Sequence, residues 1–249
     1  MSVRRLAPPE MQPKDFAFNK DNLAWAKKEI TKYPEGRQQS AIIPLLWRAQ
    51  EQHGGWLPEA AIRHVSDFLG MAHIRGLEVA TFYTMFNLWP VGRFHVQLCG
   101  TTPCRLRGAD DLEKVCRKRI GDQSEVTKDG KFSWVEVECL GACVNAPAAQ
   151  INYDYFEDLT GSTLSVILDD LVSGRTVRPG PQVDRQLSAP LGGPTTLIGS
   201  DGHAAAATEE GRGSPIDDSD AKKPGAPANV REAAIPQPPA ADSSAKKQS

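Results

Sequence analysis

The sequence predicts an α/β protein: an N-terminal helical bundle, then a small mixed α/β domain, then a disordered C-terminal tail. Three observations carry that expectation. Apolar residues recur at helical spacing through residues 20–90, alternate at strand spacing around residues 93–99 and 131–139, and almost vanish after residue 200. With 249 residues, 40% of them hydrophobic, the chain can bury a real core.

In the first region, DNLAWAKKEITKYP places Leu23, Ala26, Ile30 and Tyr33 on one helix face, with Pro34 as the stop. QQSAIIPLLWRAQEQHGG places Ile42, Leu45, Leu46 and Ala49 together and ends at Gly54–Gly55; Pro44 marks its first turn or a kink. PEAAIRHVSDFLG follows, with Pro58 at the first helical position and Gly70 at the exit. LEVATFYTMF reads as a mostly buried fourth helix, and the aromatics of TFYTMFNLW as core.

The second region opens with RFHVQLC, where Phe94, Val96 and Leu98 alternate against polar neighbours. A helix over about 103–119 follows, with Thr102 as its cap and Pro103 at its first position. KFSWVEVEC is a strand in which Trp134 looks out of phase with Val135 and Val137. AQINYDYFEDL predicts two short strands around Asn152–Asp154, and STLSVILDDLVSG a closing helix with Gly174 at its C-cap. Beyond Ser200 only Ile216, Val230 and Ile235 are large and apolar, too few to offset the entropy of ordering that segment.

Composition narrows the function classes. A net charge of −2 gives no basic field for nucleic acid or anionic lipid. No apolar run approaches the roughly 20 residues of a membrane-spanning helix. The start, MSVRRLAPPEMQPKDF, has two arginines but no apolar h-region, so a soluble, intracellular protein without membrane insertion is expected.

The chemistry points to cysteine. Cys99 and Cys104 form a C-x4-C pair, and Cys139 and Cys143 a C-x3-C pair, each directly after a predicted strand. Two loops at one end of a sheet can bring four thiolates around one site, the soft ligand shell that iron–sulfur clusters require. Gly100 and Gly141 would let the backbone pass close to inorganic sulfide. Structural zinc also accepts four cysteines, though usually through a C-x2-C knuckle. Cys116, mid-helix, reads as a small buried residue, and His53, His64, His73 and His95 lie at unmatched spacings. No Walker or G-x-G-x-x-G loop appears, so no nucleotide site is expected on this chain.

EVATFYTMF, PVGRFHVQLCGTTPC, VECLGACVNAP, DYFEDLT and PGPQVDRQLSAPLGGPTTL together resemble the small thioredoxin-like [2Fe–2S] subunit of NADH:quinone oxidoreductase, respiratory complex I. The resemblance runs from about residue 20 to residue 199. It implies one [2Fe–2S] cluster on Cys99, Cys104, Cys139 and Cys143, held by a thioredoxin-like domain at 91–178 that follows a helical bundle at 20–90. It further implies a heterodimer with a larger subunit that alone carries FMN and NADH, alongside other peripheral-arm subunits. The site would then face the cytoplasm at the bacterial inner membrane, or the matrix in mitochondria. Residues 1–19 read as an N-terminal arm, 179–199 as an extended partner-binding segment, and 200–249 as the tail, which departs from the family's compact ending. Related subunits serve soluble NAD-linked hydrogenases and formate dehydrogenases, so that assignment stays open on sequence, as does a zinc-stapled interaction domain.

Overall fold

Four helices, α1 (Lys20–Ile30), α2 (Ile42–Gln52), α3 (Glu59–Phe68) and α4 (His73–Phe82), precede the first strand, as the periodicity predicts. The computed structural model describes residues 4–188; the expected tail and residues 189–199 lie outside the described residues. Asn19 caps α1 by accepting from the Asn22 N–H at 2.8 Å. That helix ends before Pro34, because the N–H groups of Thr31, Lys32 and Tyr33 switch to carbonyls three residues back. Pro44 sits in the first turn of α2, where a missing N–H costs nothing, and Pro58 stands one residue before α3 as its cap. The expected faces are the buried ones: Ala26, Ile42, Leu45, Leu46, Ala49, Ile62 and Val65 share one core with Phe86 and Leu88.

The fourth helix departs from expectation. It starts earlier, at His73, stops at Phe82, and buries only Gly76 and Ala80. Tyr83 turns to extended backbone, so the aromatic run leaves the helix and divides: Phe86 and Leu88 face inward, while Phe82 is 76% exposed and Tyr83, Met85 and Trp89 also reach the surface. Arg4 holds this turn, its guanidinium donating to the carbonyls of Ala80, Thr81, Tyr83 and Phe86.

The second half is built on β1 (Phe94–Cys99), β2 (Phe132–Val137), β3 (Ala149–Ile151), β4 (Asp154–Glu157) and β5 (Gly180–Pro181), in the order β2-β1-β3-β4-β5. β1 runs parallel to β2 and antiparallel to β3; β3 and β4 form a hairpin, and β5 joins β4 in parallel. In place of the single helix expected after β1 there are two, α5 (Thr102–Leu106) and α6 (Ala109–Arg119). The break falls at Gly108, whose φ of +105° no continuous helix accommodates, and Thr101 rather than Thr102 takes the cap position. α7 (Gly161–Val172) closes the domain behind a capping box at Thr160 and Thr163.

The core lies between one sheet face and the pair α6 and α7. Phe94, Val96, Leu98, Phe132, Trp134, Ile151 and Phe156 meet Leu112, Cys116, Leu164, Leu168 and Leu171 there. Trp134 is in phase with Phe132 after all, and Val135 and Val137 belong to the opposite face. Its indole N–H donates to the Gly121 carbonyl at 2.9 Å, which removes the polar cost of burying it. Among the described residues, no helix is long and apolar enough to cross a membrane.

Candidate metal centre

Parallel pairing puts the C-terminal ends of β1 and β2 at the same edge of the sheet, with Cys99 directly opposite Val137. Cys99 is the last residue of β1, Cys104 lies in α5, Cys139 follows β2 by two residues, and Cys143 opens a single 3-10 turn, Cys143–Asn145. The two loops are stitched at their roots. The Cys99 N–H donates to the Ala148 carbonyl at 3.2 Å, and the Gly100 N–H to that of Val137 at 3.1 Å.

The two pairs have different surroundings. Cys99 and Cys104 are each 1% exposed and pack with Ala109, Ala146 and Leu140, the last two contributed by the second loop. Cys139 is exposed and Cys143 half-buried, their sulfurs 3.4 Å apart. The Thr101 hydroxyl lies 3.3 Å from the Cys99 sulfur, and the Gly141 N–H donates to the Cys139 sulfur at 3.3 Å.

The thiols feel one another across the loops. Burial pushes Cys104 up to about 11, helped by its neighbour Cys99 and by Cys143. Burial also works against ionising Cys99, but the Thr101 hydroxyl and the backbone of Thr101 and Leu140 outweigh it and draw the thiol below its ordinary value. Cys143 is raised, first by its hydrogen bond to Cys139, then by burial and by the charges of Cys139 and Cys99. Each of the four expected cysteines therefore interacts with at least one other, and Cys143 on the second loop lies within electrostatic reach of Cys99 and Cys104 on the first. Among the described residues, no three His, Cys, Asp or Glu side chains gather as ligands to a single ion would. The sulfurs stand in pairs, one deep and one shallow, with soft donors and an apolar floor, a donor set suited to a two-iron cluster.

Cys116 lies apart in α6, fully buried, its thiol pushed up to about 12 by burial and then by Glu113. The histidines stay outside the pocket: His95 is buried on β1 with Nδ1 2.8 Å from the Ser133 hydroxyl, and His64 packs edge-on to Phe16 and Phe18. Gly100 also makes room for a protein neighbour. A Cβ there would stand 1.9 Å from Glu136 Oε1, so the missing side chain makes room for Glu136.

Glu136 in turn meets Arg105 at 3.0 Å, and Arg105 also donates to the Gly100 carbonyl at 3.2 Å, to Glu113 at 3.1 Å and to Asp110. Sequence reasoning does not find this clamp, because Arg105 and Glu136 are 31 positions apart and neither stands in a pattern of its own. The place of Gly100 beside a cysteine is the one available signal, and it points equally to sulfide.

A family model, thioredoxin-like [2Fe–2S] ferredoxin, matches residues 26–172. An E-type chain of the NADH-quinone oxidoreductase of Rhizobium meliloti (strain 1021) is 61% identical over 201 residues, 79% of this chain and 73% of that protein. The E-type chain of the same oxidoreductase from Rickettsia bellii (strain RML369-C) is 57% identical over 158 residues, 63% of this chain and 95% of that one. The crystal structure of an NAD+-reducing [NiFe]-hydrogenase in the H2-reduced state is similar over 53% of this chain at 18% identity and a TM-score of 0.47. This chain spans 22% of that one. On the family match and the identities to the two oxidoreductase chains, this protein belongs to the thioredoxin-like [2Fe–2S] ferredoxins, and among them to the E-type chains of NADH-quinone oxidoreductase.

Proposed function

We propose that Cys99, Cys104, Cys139 and Cys143 hold the [2Fe–2S] cluster of this family, and that the chain stores one electron beside a flavin-bearing partner subunit. The convergence of two cysteine loops at the paired ends of β1 and β2 carries this reading. When bound, the cluster supplies a centre that takes up and returns one electron at a time. The chain does the rest. Cys99 and Cys104 form a deep, water-shielded side under Leu140, Ala109 and Ala146. Cys139 and Cys143 form the side nearer solvent. The Thr101 hydroxyl and the Gly141 N–H lie against sulfur, where hydrogen bonds favour the more negative, reduced state.

NADH delivers two electrons as hydride, which a one-electron centre cannot accept, so a flavin must stand between them. The partner is accordingly the FMN- and NADH-binding subunit, in a heterodimer within the peripheral arm. That arm faces the bacterial cytoplasm, or the matrix in mitochondria.

The test is to purify the full chain alone and with co-expressed partner. Alone, it should contain iron and acid-labile sulfide in equal amounts, show a [2Fe–2S] EPR signal on reduction, bind no FMN and leave NADH unoxidised. With the flavin-bearing partner it should form a stable heterodimer with NADH:acceptor activity. Zinc in place of iron, or NADH turnover by the single chain, overturns the reading.

A further inference from the structure

The second cysteine loop is held from a distant part of the chain. After α7 the backbone returns to the sheet, so that Gly180–Pro181 pairs in parallel with Phe156–Glu157 and the Gln182 N–H donates to the Glu157 carbonyl at 3.0 Å. Leu187 folds back over the same point: a Cβ on Gly180 would stand 2.6 Å from its Cδ2. This brings residues 185–188 against the turn that begins at Cys143. Arg185 donates to the Val144 carbonyl at 3.1 Å and pairs with Asp158 at 3.3 Å. The Asn145 amide donates to the Gln186 carbonyl at 2.8 Å and to the Glu157 carboxylate at 2.7 Å. Ser188 donates to that carboxylate twice, from its hydroxyl at 2.6 Å and its N–H at 3.1 Å.

Glu157 is 3% exposed and Asn145 1%. A buried carboxylate is tolerated only where donors replace water. Its donors come from two places, Asn145 on the cysteine loop and Ser188 on the returning segment, so each group is in place only when the others are. The Asp158 N–H, donating to the Asn145 carbonyl at 2.7 Å, closes the arrangement from the β4 side. The first cysteine loop receives no contact of this kind among the described residues; the core and Arg105 hold it.

We infer that residues 180–188 form a strap that seats the Cys143 turn, with Ser188 and Arg185 as positioning residues for the exposed half of the cluster site. The inference rests on the reading that Cys143 is a ligand, and the test separates the two. In the full chain carrying its cluster, Ser188→Ala, Arg185→Ala, the double variant and Ser188→Thr are compared with the parent. The readouts are amide hydrogen–deuterium exchange over residues 143–147, the rate at which a ferrous chelator bleaches the cluster, and the melting temperature. Removing two such hydrogen-bonding groups should speed both exchange and bleaching about tenfold in the double variant, with little change in melting. Ser188→Thr, which keeps the hydroxyl, should behave as the parent does. Unchanged exchange over 143–147 in the double variant overturns the strap. So does faster exchange spread evenly over the domain with a matching fall in melting temperature. Absence of iron from the parent chain would defeat the ligand reading alone, because exchange in the iron-free full chain decides the strap without it.

Discussion

The two cysteine loops leave the same end of the sheet, yet they are held by opposite means. The first grows out of β1, a central strand hydrogen-bonded on both sides, and its cysteines sink into an apolar pocket with Leu140 and Ala146. The second leaves β2, an edge strand whose outer side meets only the short 124–127 turn near its start, and its cysteines stay nearer solvent. Packing, with the local Arg105 clamp, places the first pair. Polar ties to chain far downstream place the second, through Asn145, Glu157, Arg185 and Ser188.

The largest effect expected from this contrast is on the cluster itself. Serine at Cys99, Cys104, Cys139 or Cys143 should abolish or distort the [2Fe–2S] absorption and EPR signal. The iron-free chains should then divide. Cys104→Ser buries a hydroxyl in an apolar pocket and should lower stability by about 1–3 kcal/mol, whereas Cys139→Ser, on the surface, should stay within about 0.5 kcal/mol of the parent. Cys116→Ser should keep a normal cluster while losing stability to its own buried hydroxyl, which distinguishes a core thiol from a ligand. A normal spectrum from both Cys139→Ser and Cys143→Ser would remove the second loop from the site.

Much of this arrangement is legible in the sequence, and the exceptions have physical reasons. Alternation in RFHVQLC and the C-x4-C and C-x3-C spacings locate both loops, because strand period and ligand spacing are local properties. The break at Gly108 is hidden because α5 and α6 together still follow one helical period. Facing in β2 misleads because Phe132 and Trp134 take the core face while Val135 and Val137 are partly buried on the other, so apolar residues occupy both. The aromatics after Ala80 look like core by composition, but a helix ends at Phe82 only where tertiary contacts such as those of Arg4 end it. Arg105 with Glu136, and Glu157 with Ser188, join positions that no sequence period relates.

A second effect reads the strand beneath the first loop. His95 on β1 is buried beside Ser133, and burial draws its imidazole down to about 4 from the usual 6.5. The folded state therefore favours the neutral ring. Its contribution is complete above the unfolded value near 6.5 and is lost as pH falls through that value towards about 4. The loss should approach about 3 kcal/mol across this window, measured by urea unfolding of the iron-free full chain. His95→Gln should flatten that part of the profile. An unchanged profile in the variant would show that the strand does not carry the pH dependence.

The smallest effects come from the two loop glycines, which separate the loops most cleanly. Gly100 is a matter of space. An added Cβ would lie 1.9 Å from Glu136 Oε1 and 2.5 Å from its Cδ, so Glu136 must swing away and release Arg105. That ion pair is partly exposed, so its loss together with the repacking should lower the melting temperature only slightly. Gly141 is a matter of backbone: its φ is +80°, and nothing lies within 4 Å of the position a Cβ would take. Alanine there should cost about 1 kcal/mol, through the left-handed conformation alone. Small costs with different causes respond differently to a second change. In a Glu136→Ala background the Gly100→Ala penalty should vanish, because the obstructing side chain is gone, while the Gly141→Ala penalty should persist unaltered. Thermal melts of the single and double variants, compared as mutant cycles, read this directly. A Gly100→Ala penalty that survives Glu136→Ala would mean the first loop is limited by its backbone as the second is, and the contrast between packed and tethered loops would fail at that point.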